Sequence, residues 1–259
     1  MKKFLLPLLL ATTLVASCDK AQSPQPTQQP VAASPAPATP VVDSTPSPVW
    51  PHTPANAQIT LAPNLLQKNY LVVFDESGSM GESACKDKGR SKDVVAKEAV
   101  TEFGGVVPGE ANLGLVIFDD VTSVRVQLGV GSVNRDQFKK AIASTRPGRG
   151  GTPLHSAMRL GYQELLRQAQ SQLGYGEYHL IVVTDGESNG NNEDPSPLVT
   201  QLRKTPVVLH TLGFCIGEKH SLNQPGVTFY QEAGDLLSLR TGLKSVLAEA
   251  PAFDSTFTK

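Results

Sequence analysis

The chain reads as an α/β protein: a doubly wound, mainly parallel six-stranded sheet with one antiparallel edge strand and helices on both faces. Three observations lead there. Short continuous apolar runs such as Tyr70-Leu71-Val72-Val73-Phe74 mark strands buried on both faces. Stretches of helical spacing separate those runs, and this alternation argues for parallel strands joined by helical crossovers. One run, Val124 to Val130, alternates more and follows its predecessor after only a tight Asp119-Asp120 turn, which predicts an antiparallel hairpin.

The elements follow in order. After the first strand, Val94, Val95, Ala99, Val100 and Phe103 are spaced as one face of a helix. Leu113 to Phe118 is the second strand and Val124 to Val130 the third. A helix around Gln137 to Ala143 precedes a long one from Pro153 to about Gln172. Leu180-Ile181-Val182-Val183 is the fourth strand and Val207 to Leu212 the fifth. A short strand near Val227 to Tyr230 and a helix from about Asp235 to Glu249 complete the set. No internal repeat is visible.

Outside this globular part, 65–250, the composition changes. Eleven of the twenty prolines lie between Asp19 and Pro63, among Gln, Ala, Ser and Thr with almost no charge. Such a stretch buries too little apolar area to offset its ordering entropy, so 18–64 reads as a disordered, partly polyproline-II tether. Mostly extended, it would reach on the order of 100 Å. Trp50 is its odd member, and the sequence leaves open whether it docks on the domain or stays in the linker. Residues 251–259 form a C-terminal tail.

At the start, Lys2 and Lys3 precede an apolar run from Phe4 to Val15, the n- and h-regions of a secretory signal peptide spanning 1–17. The run is short for a membrane span and Pro7 interrupts it. Val15-Ala16-Ser17-Cys18 resembles a bacterial lipobox, in which the cysteine is acylated and becomes the new N-terminus. Ordinary cleavage beside an incidental cysteine is the alternative. A lipidated Cys18 would hold the protein on a membrane of the cell envelope after export. Asp19 resembles the retention signal that keeps enteric lipoproteins on the periplasmic face of the inner membrane, so its meaning depends on the host.

Two cysteines remain, Cys85 and Cys215. In an exported, oxidising compartment such a pair is expected to form a disulfide, the alternative being two buried small apolar residues. Both follow strands that end at one edge of the sheet, so a bridge could brace that edge. The net charge of −1 provides no basic face for nucleic acid.

The chemistry lies in three loops. Asp75, Ser77 and Ser79 occur in Phe74-Asp75-Glu76-Ser77-Gly78-Ser79-Met80, directly after the first strand. Asp185 comes one residue past the fourth strand, and Thr152 stands in the Gly-rich turn Gly148-Arg149-Gly150-Gly151-Thr152-Pro153. In an open doubly wound sheet ligands bind outside the carboxyl ends of the strands, so these loops open on one edge. Small, hard oxygen donors gathered there are what Mg²⁺ or Mn²⁺ requires, and Ca²⁺ accepts the same donor type. Pro153 suits the first helical position and Thr152 the N-cap, so helix amides and a cation would compete for the threonine oxygen. Glu76 fills an open position of the motif with a side chain that can point away.

Asp-x-Ser-x-Ser followed by a distant Thr and a distant Asp resembles the metal-ion-dependent adhesion site of von Willebrand factor A domains. The resemblance covers roughly residues 66–250 and fills all five positions. It implies that Ser77 and Ser79 bind a metal through their hydroxyls. Thr152 would bind directly in one state, and Asp75 and Asp185 directly or through water. It also implies a protein partner whose Asp or Glu completes the coordination, and no catalytic activity.

Other readings of these loops are weaker. Gly150-Gly151 is no phosphate loop, because no Gly-Lys-Ser/Thr follows. Ser79 is no nucleophile elbow, because Ser77 stands where that motif needs glycine. A Mg²⁺-dependent phosphohydrolase with Asp75 as nucleophile would need a carboxylate where Ser77 stands. A purely structural envelope tether with an idle site is the third possibility. His155 can line the site or lie exposed on its helix, and Asn189 to Asp194 can hold Ca²⁺ or form a solvated loop.

Overall fold

The computed structural model describes residues 50–54, 56–189 and 193–248. The signal peptide, Cys18, Asp19, most of the tether and the C-terminal tail lie outside these residues. Six strands and five α-helices follow in the order β1 (Lys68–Asp75), α1 (Lys92–Val106), β2 (Asn112–Phe118), β3 (Ser123–Gly129), α2 (Gly131–Ser144), α3 (Leu154–Ser171), β4 (Glu177–Thr184), α4 (Ser196–Leu202), β5 (Val207–Phe214), β6 (Phe229–Ala233) and α5 (Leu236–Ala248). A 3-10 turn, Gly78–Gly81, follows β1.

The sheet order is β3-β2-β1-β4-β5-β6. β3 runs antiparallel to β2 at one edge and every other pair is parallel. The continuous apolar runs are explained by burial on both faces. Along β1, Tyr70, Val72 and Phe74 enter a core shared with α1, α2 and α5, while Leu71 and Val73 enter one shared with α3 and α4. β3 is partly exposed, and its polar alternation reflects that. Chain order reverses around β1, with β2 on one side and β4 on the other. The crevice between the ends of β1 and β4 is therefore the ligand position of this architecture.

Two small elements escaped the sequence reading. The turn Gly78–Gly81 and the seven-residue α4 are each too short to display a period. Trp50 docks: its ring lies 6.1 Å from Tyr162 and 6.0 Å from Tyr178. Further along the same segment, Ala62 N–H donates to the Ser171 carbonyl (2.9 Å). Among the described residues, no helix is long and apolar enough to cross a membrane.

Candidate metal centre

Asp75 is fully buried at the end of β1. Its Oδ1 accepts the Ser77 N–H (2.8 Å), which turns the chain sharply, and its Oδ2 accepts the Thr184 hydroxyl (2.6 Å). The 3-10 turn then brings Ser79 back beside Ser77, with hydroxyl oxygens 3.1 Å apart. Ser79 Oγ donates to Asp185 Oδ1 at 2.8 Å. The loops after β1 and β4, more than a hundred residues apart in sequence, thus meet through side-chain oxygens. Thr184 binds both loops, since its oxygen also accepts the Gly186 N–H (3.3 Å).

The third loop is tied to the first by its backbone. Gly148 N–H donates to the Glu76 carbonyl (2.7 Å) and Gly78 N–H to the Gly150 carbonyl (3.3 Å). Gly150 must lack a side chain, because a Cβ there would overlap Asp120. Thr152 is buried beside the Asp185 loop: a Cβ at Gly186 would lie 3.5 Å from its hydroxyl oxygen. All five predicted residues therefore gather at one edge of the sheet.

The expected N-cap role of Thr152 is not what the structure contains. α3 begins at Leu154, and Pro153 occupies the cap position with ψ of 61° and no side-chain cap bond. The Pro153 carbonyl already accepts the Ala157 N–H (3.0 Å), so the helix starts one residue later than the proline rule suggests. Thr152 is held instead by Asn189, whose Oδ1 accepts its N–H at 2.6 Å.

Burial dominates the charges. It pushes the Asp75 carboxyl up to about 6, against hydrogen bonds from Thr184 and Ser77 that pull it down. Glu76 is also raised by burial; its carboxylate accepts from Thr145 Oγ1 (2.5 Å) and lies 3.6 Å from Lys97, apart from the serine hydroxyls. Lys92, the first residue of α1, places its ammonium 2.8 Å from Asp185 Oδ2 and 3.2 Å from Glu82. Burial pulls that ammonium down, but the two carboxylates outweigh it and leave it above its ordinary value.

This donor set fits a hard cation. Adjacent corners of an octahedron with bonds of roughly 2.1 Å are about 3 Å apart, close to the Ser77–Ser79 and Ser79–Asp185 spacings. Every donor is oxygen and only two carry charge. Among the described residues, no group of three or more His, Cys, Asp or Glu is placed to hold a metal ion.

Other predicted residues have different duties. His155 is half-buried in the first turn of α3. Between Asn189 and Asp194, residues 190–192 lie outside the description. Glu193 caps α3 through the Ser156 N–H (2.9 Å) and hydroxyl (2.6 Å), and Asp194 accepts the Ser196 N–H (2.9 Å). Those oxygens hold the starts of α3 and α4. Cys85 and Cys215 are disulfide-bonded, with Cα atoms 5.8 Å apart. The adjacent Lys86 N–H donates to the Gly234 carbonyl (3.1 Å), so the bridge braces the loop leading into α1.

Sequence reasoning missed Thr184, Lys92 and His220. Thr184 is legible as a polar residue ending an apolar strand just before Asp185. His220 is the buried support of the Asp185 loop: its Nε2–H donates to the Gly186 carbonyl (3.0 Å) while Nδ1 accepts the Leu222 N–H (3.0 Å). No local pattern marks it, or Lys92.

The fold and this edge define a doubly wound α/β domain with side-chain oxygens gathered at its topological switch point. The family model of the von Willebrand factor type A domain matches residues 70–228, and the chain belongs to that family. A calcium-activated chloride channel regulator 1 of Bos taurus is 25% identical over 148 residues, 56% of this chain. The chain spans only 15% of that protein's length. A von Willebrand factor type A structure from Catenulispora acidiphila has a TM-score of 0.54 at 18% identity, covering 71% of this chain and 42% of that one. The manganese-loaded TRAP protein of Plasmodium vivax has a TM-score of 0.53 at 20% identity, covering 70% and 74%. At these identities the structural likeness concerns the fold.

Proposed function

We propose that Asp75, Ser77, Ser79, Thr152 and Asp185 hold Mg²⁺ or Mn²⁺, and that the domain captures a protein partner whose Asp or Glu completes the coordination. The observation that carries this reading is the contiguous run of oxygens Ser77–Ser79–Asp185, at 3.1 and 2.8 Å. Two carboxylates among five donors suit Mg²⁺ or Mn²⁺ better than Ca²⁺, which takes six to eight oxygens at longer distances. When bound, the ion supplies an electrophilic centre that attracts an external carboxylate.

The chain's own residues do the rest. Ser77 and Ser79 contribute neutral hydroxyls, so only Asp75 and Asp185 among the five donors offset the ion's charge. Thr184 and the Ser77 amide fix the Asp75 carboxylate, and Asn189 fixes Thr152. The phosphohydrolase alternative fares poorly, because Asp75 is fully buried and each of its oxygens already accepts a hydrogen bond. The reading therefore assigns no catalytic residue.

Cys18 would carry the lipid and the proline-rich segment would extend the domain from the membrane, on the periplasmic face of the inner membrane if the host is Gram-negative. Crosslinking on intact cells in Mg²⁺ and in chelator, followed by identification of the captured proteins, tests the function. Asp75→Ala or Ser79→Ala should abolish the metal-dependent capture while leaving the fold intact. Partner capture unchanged in excess chelator would refute the reading, and five silent mutants would favour an idle structural tether.

A further inference from the structure

Lys92 breaks a local rule. A cation in the first turn of a helix opposes the macrodipole, which favours anions there. Here α1 opens on a lysine whose side chain is only 10% exposed and which reaches the fully buried Asp185 carboxylate at 2.8 Å. Glu82, a surface residue whose side chain is 70% exposed, takes the same ammonium at 3.2 Å. The backbone holds that second partner in place, since Lys92 N–H donates to the Glu82 carbonyl (2.8 Å). The loop between them is fastened by the Cys85–Cys215 bridge and by the Leu236 N–H to Asp87 Oδ2 bond (2.9 Å). The ammonium is thus positioned between one site carboxylate and one solvent-facing carboxylate.

We infer that Lys92 is a built-in competitor of the metal: its ammonium and the divalent ion contend for Asp185, which sets a high metal threshold for loading. The inference rests on the function proposed above. Asp75, Asp185 and Glu82 each contribute −1 and Lys92 +1, so the lysine reduces the negative charge that this group of side chains offers a divalent ion from −3 to −2. A loaded site therefore carries one more unit of positive charge than it would without the lysine, which raises its demand for an external carboxylate. Metal and acidic partner should therefore bind with strong mutual dependence. Glu82 acts as the alternative seat for the ammonium, so neutralising it should return Lys92 wholly to Asp185.

Mn²⁺ titration of the purified protein, followed by the loss of the free ion's electron paramagnetic resonance signal, tests this without any partner. Lys92→Met should tighten Mn²⁺ at least roughly tenfold, since a unit charge in contact with a ligand is removed from a poorly solvated site. Glu82→Gln should weaken Mn²⁺ several-fold, and Lys92→Arg, which keeps the charge, should stay near wild type. Thermal melts in chelator identify any variant that fails to fold, in which case the Glu82→Gln and Lys92→Arg pair carries the test. Wild-type affinity in Lys92→Met, or tighter binding in Glu82→Gln, would overturn the competitor role while leaving the metal site standing. Absence of Mn²⁺ binding in both wild type and Lys92→Met would overturn the metal site itself, and the competitor role with it.

Discussion

Acid should loosen this domain through two histidines far from the metal edge. Tyr70, His179, His210 and Phe229 lie on neighbouring strands and stack in a row, with ring centroids 4.8, 5.4 and 5.3 Å apart. His179 Nδ1 and His210 Nε2 are 3.1 Å apart, so one ring must donate and the other accept. Both rings are buried. Burial holds His179 down at about 4, helped by the charge of Lys68, and His210 at about 3, helped by His179. An unfolded histidine takes its proton near 6.5, so below that pH the unfolded chain binds more protons than the folded one. The stability is complete above 6.5 and is lost as pH falls toward the folded values. At pH 5 the loss is about 2 kcal/mol per ring, or about 2–4 kcal/mol for the coupled pair. Asp75 and Glu76, raised by burial, act in the opposite sense, since their folded forms hold protons more tightly. The variant His179→Phe/His210→Phe retains those groups and the stacked row, and so isolates the pair. Urea unfolding in chelator at pH 7.5 and pH 5.0 should show this variant losing about 2–4 kcal/mol less on acidification than the wild type. Equal losses in the two proteins would refute the reasoning.

Three further outcomes follow from single features. Reducing the Cys85–Cys215 bridge, or replacing both cysteines with serine, should lower the unfolding free energy by up to about 5 kcal/mol, because the bridge closes a loop across a separation of 130 residues; denaturation with and without reductant measures it. Thr184→Val leaves a buried Asp75 oxygen without its 2.6 Å donor, and should cost about 1–3 kcal/mol in urea unfolding and weaken Mn²⁺ binding. Trp50 is the sole tryptophan, so its docking against Tyr162 and Tyr178 predicts a blue-shifted emission that moves red on unfolding; emission of the folded protein at the position of free indole would contradict that docking.

The fold was legible because burial on both faces writes itself as unbroken apolar runs, as in Tyr70 to Phe74. The hairpin was legible because β3 keeps a partly solvated face. Asp75, Ser77, Ser79 and Asp185 were legible because strand ends fix which loops share an edge, whatever their distance in sequence, whereas Thr152 lies between α2 and α3 and was marked by the motif alone. What the chain did not reveal are contacts without a period or motif. Lys92 is one polar residue in a helical pattern until Asp185 is placed beside it, and His220 supports Gly186 through a hydrogen bond that no spacing announces. The absence of a Thr152 cap has a related cause: a proline suits a first helical position by residue type, and only the ψ of Pro153 reveals that the helix starts beyond it. Trp50 could not be assigned because its partners, Tyr162 and Tyr178, are more than a hundred residues away.

The central claim is that five oxygens on three loops hold a divalent ion. Crystals grown in Mn²⁺ and measured on both sides of the manganese absorption edge test it most directly. The account predicts an anomalous peak among the Ser77 and Ser79 hydroxyls and the Asp185 carboxylate, absent from crystals of Asp185→Ala. A fully ordered site with no peak there, or a peak bound only elsewhere on the domain, would contradict it.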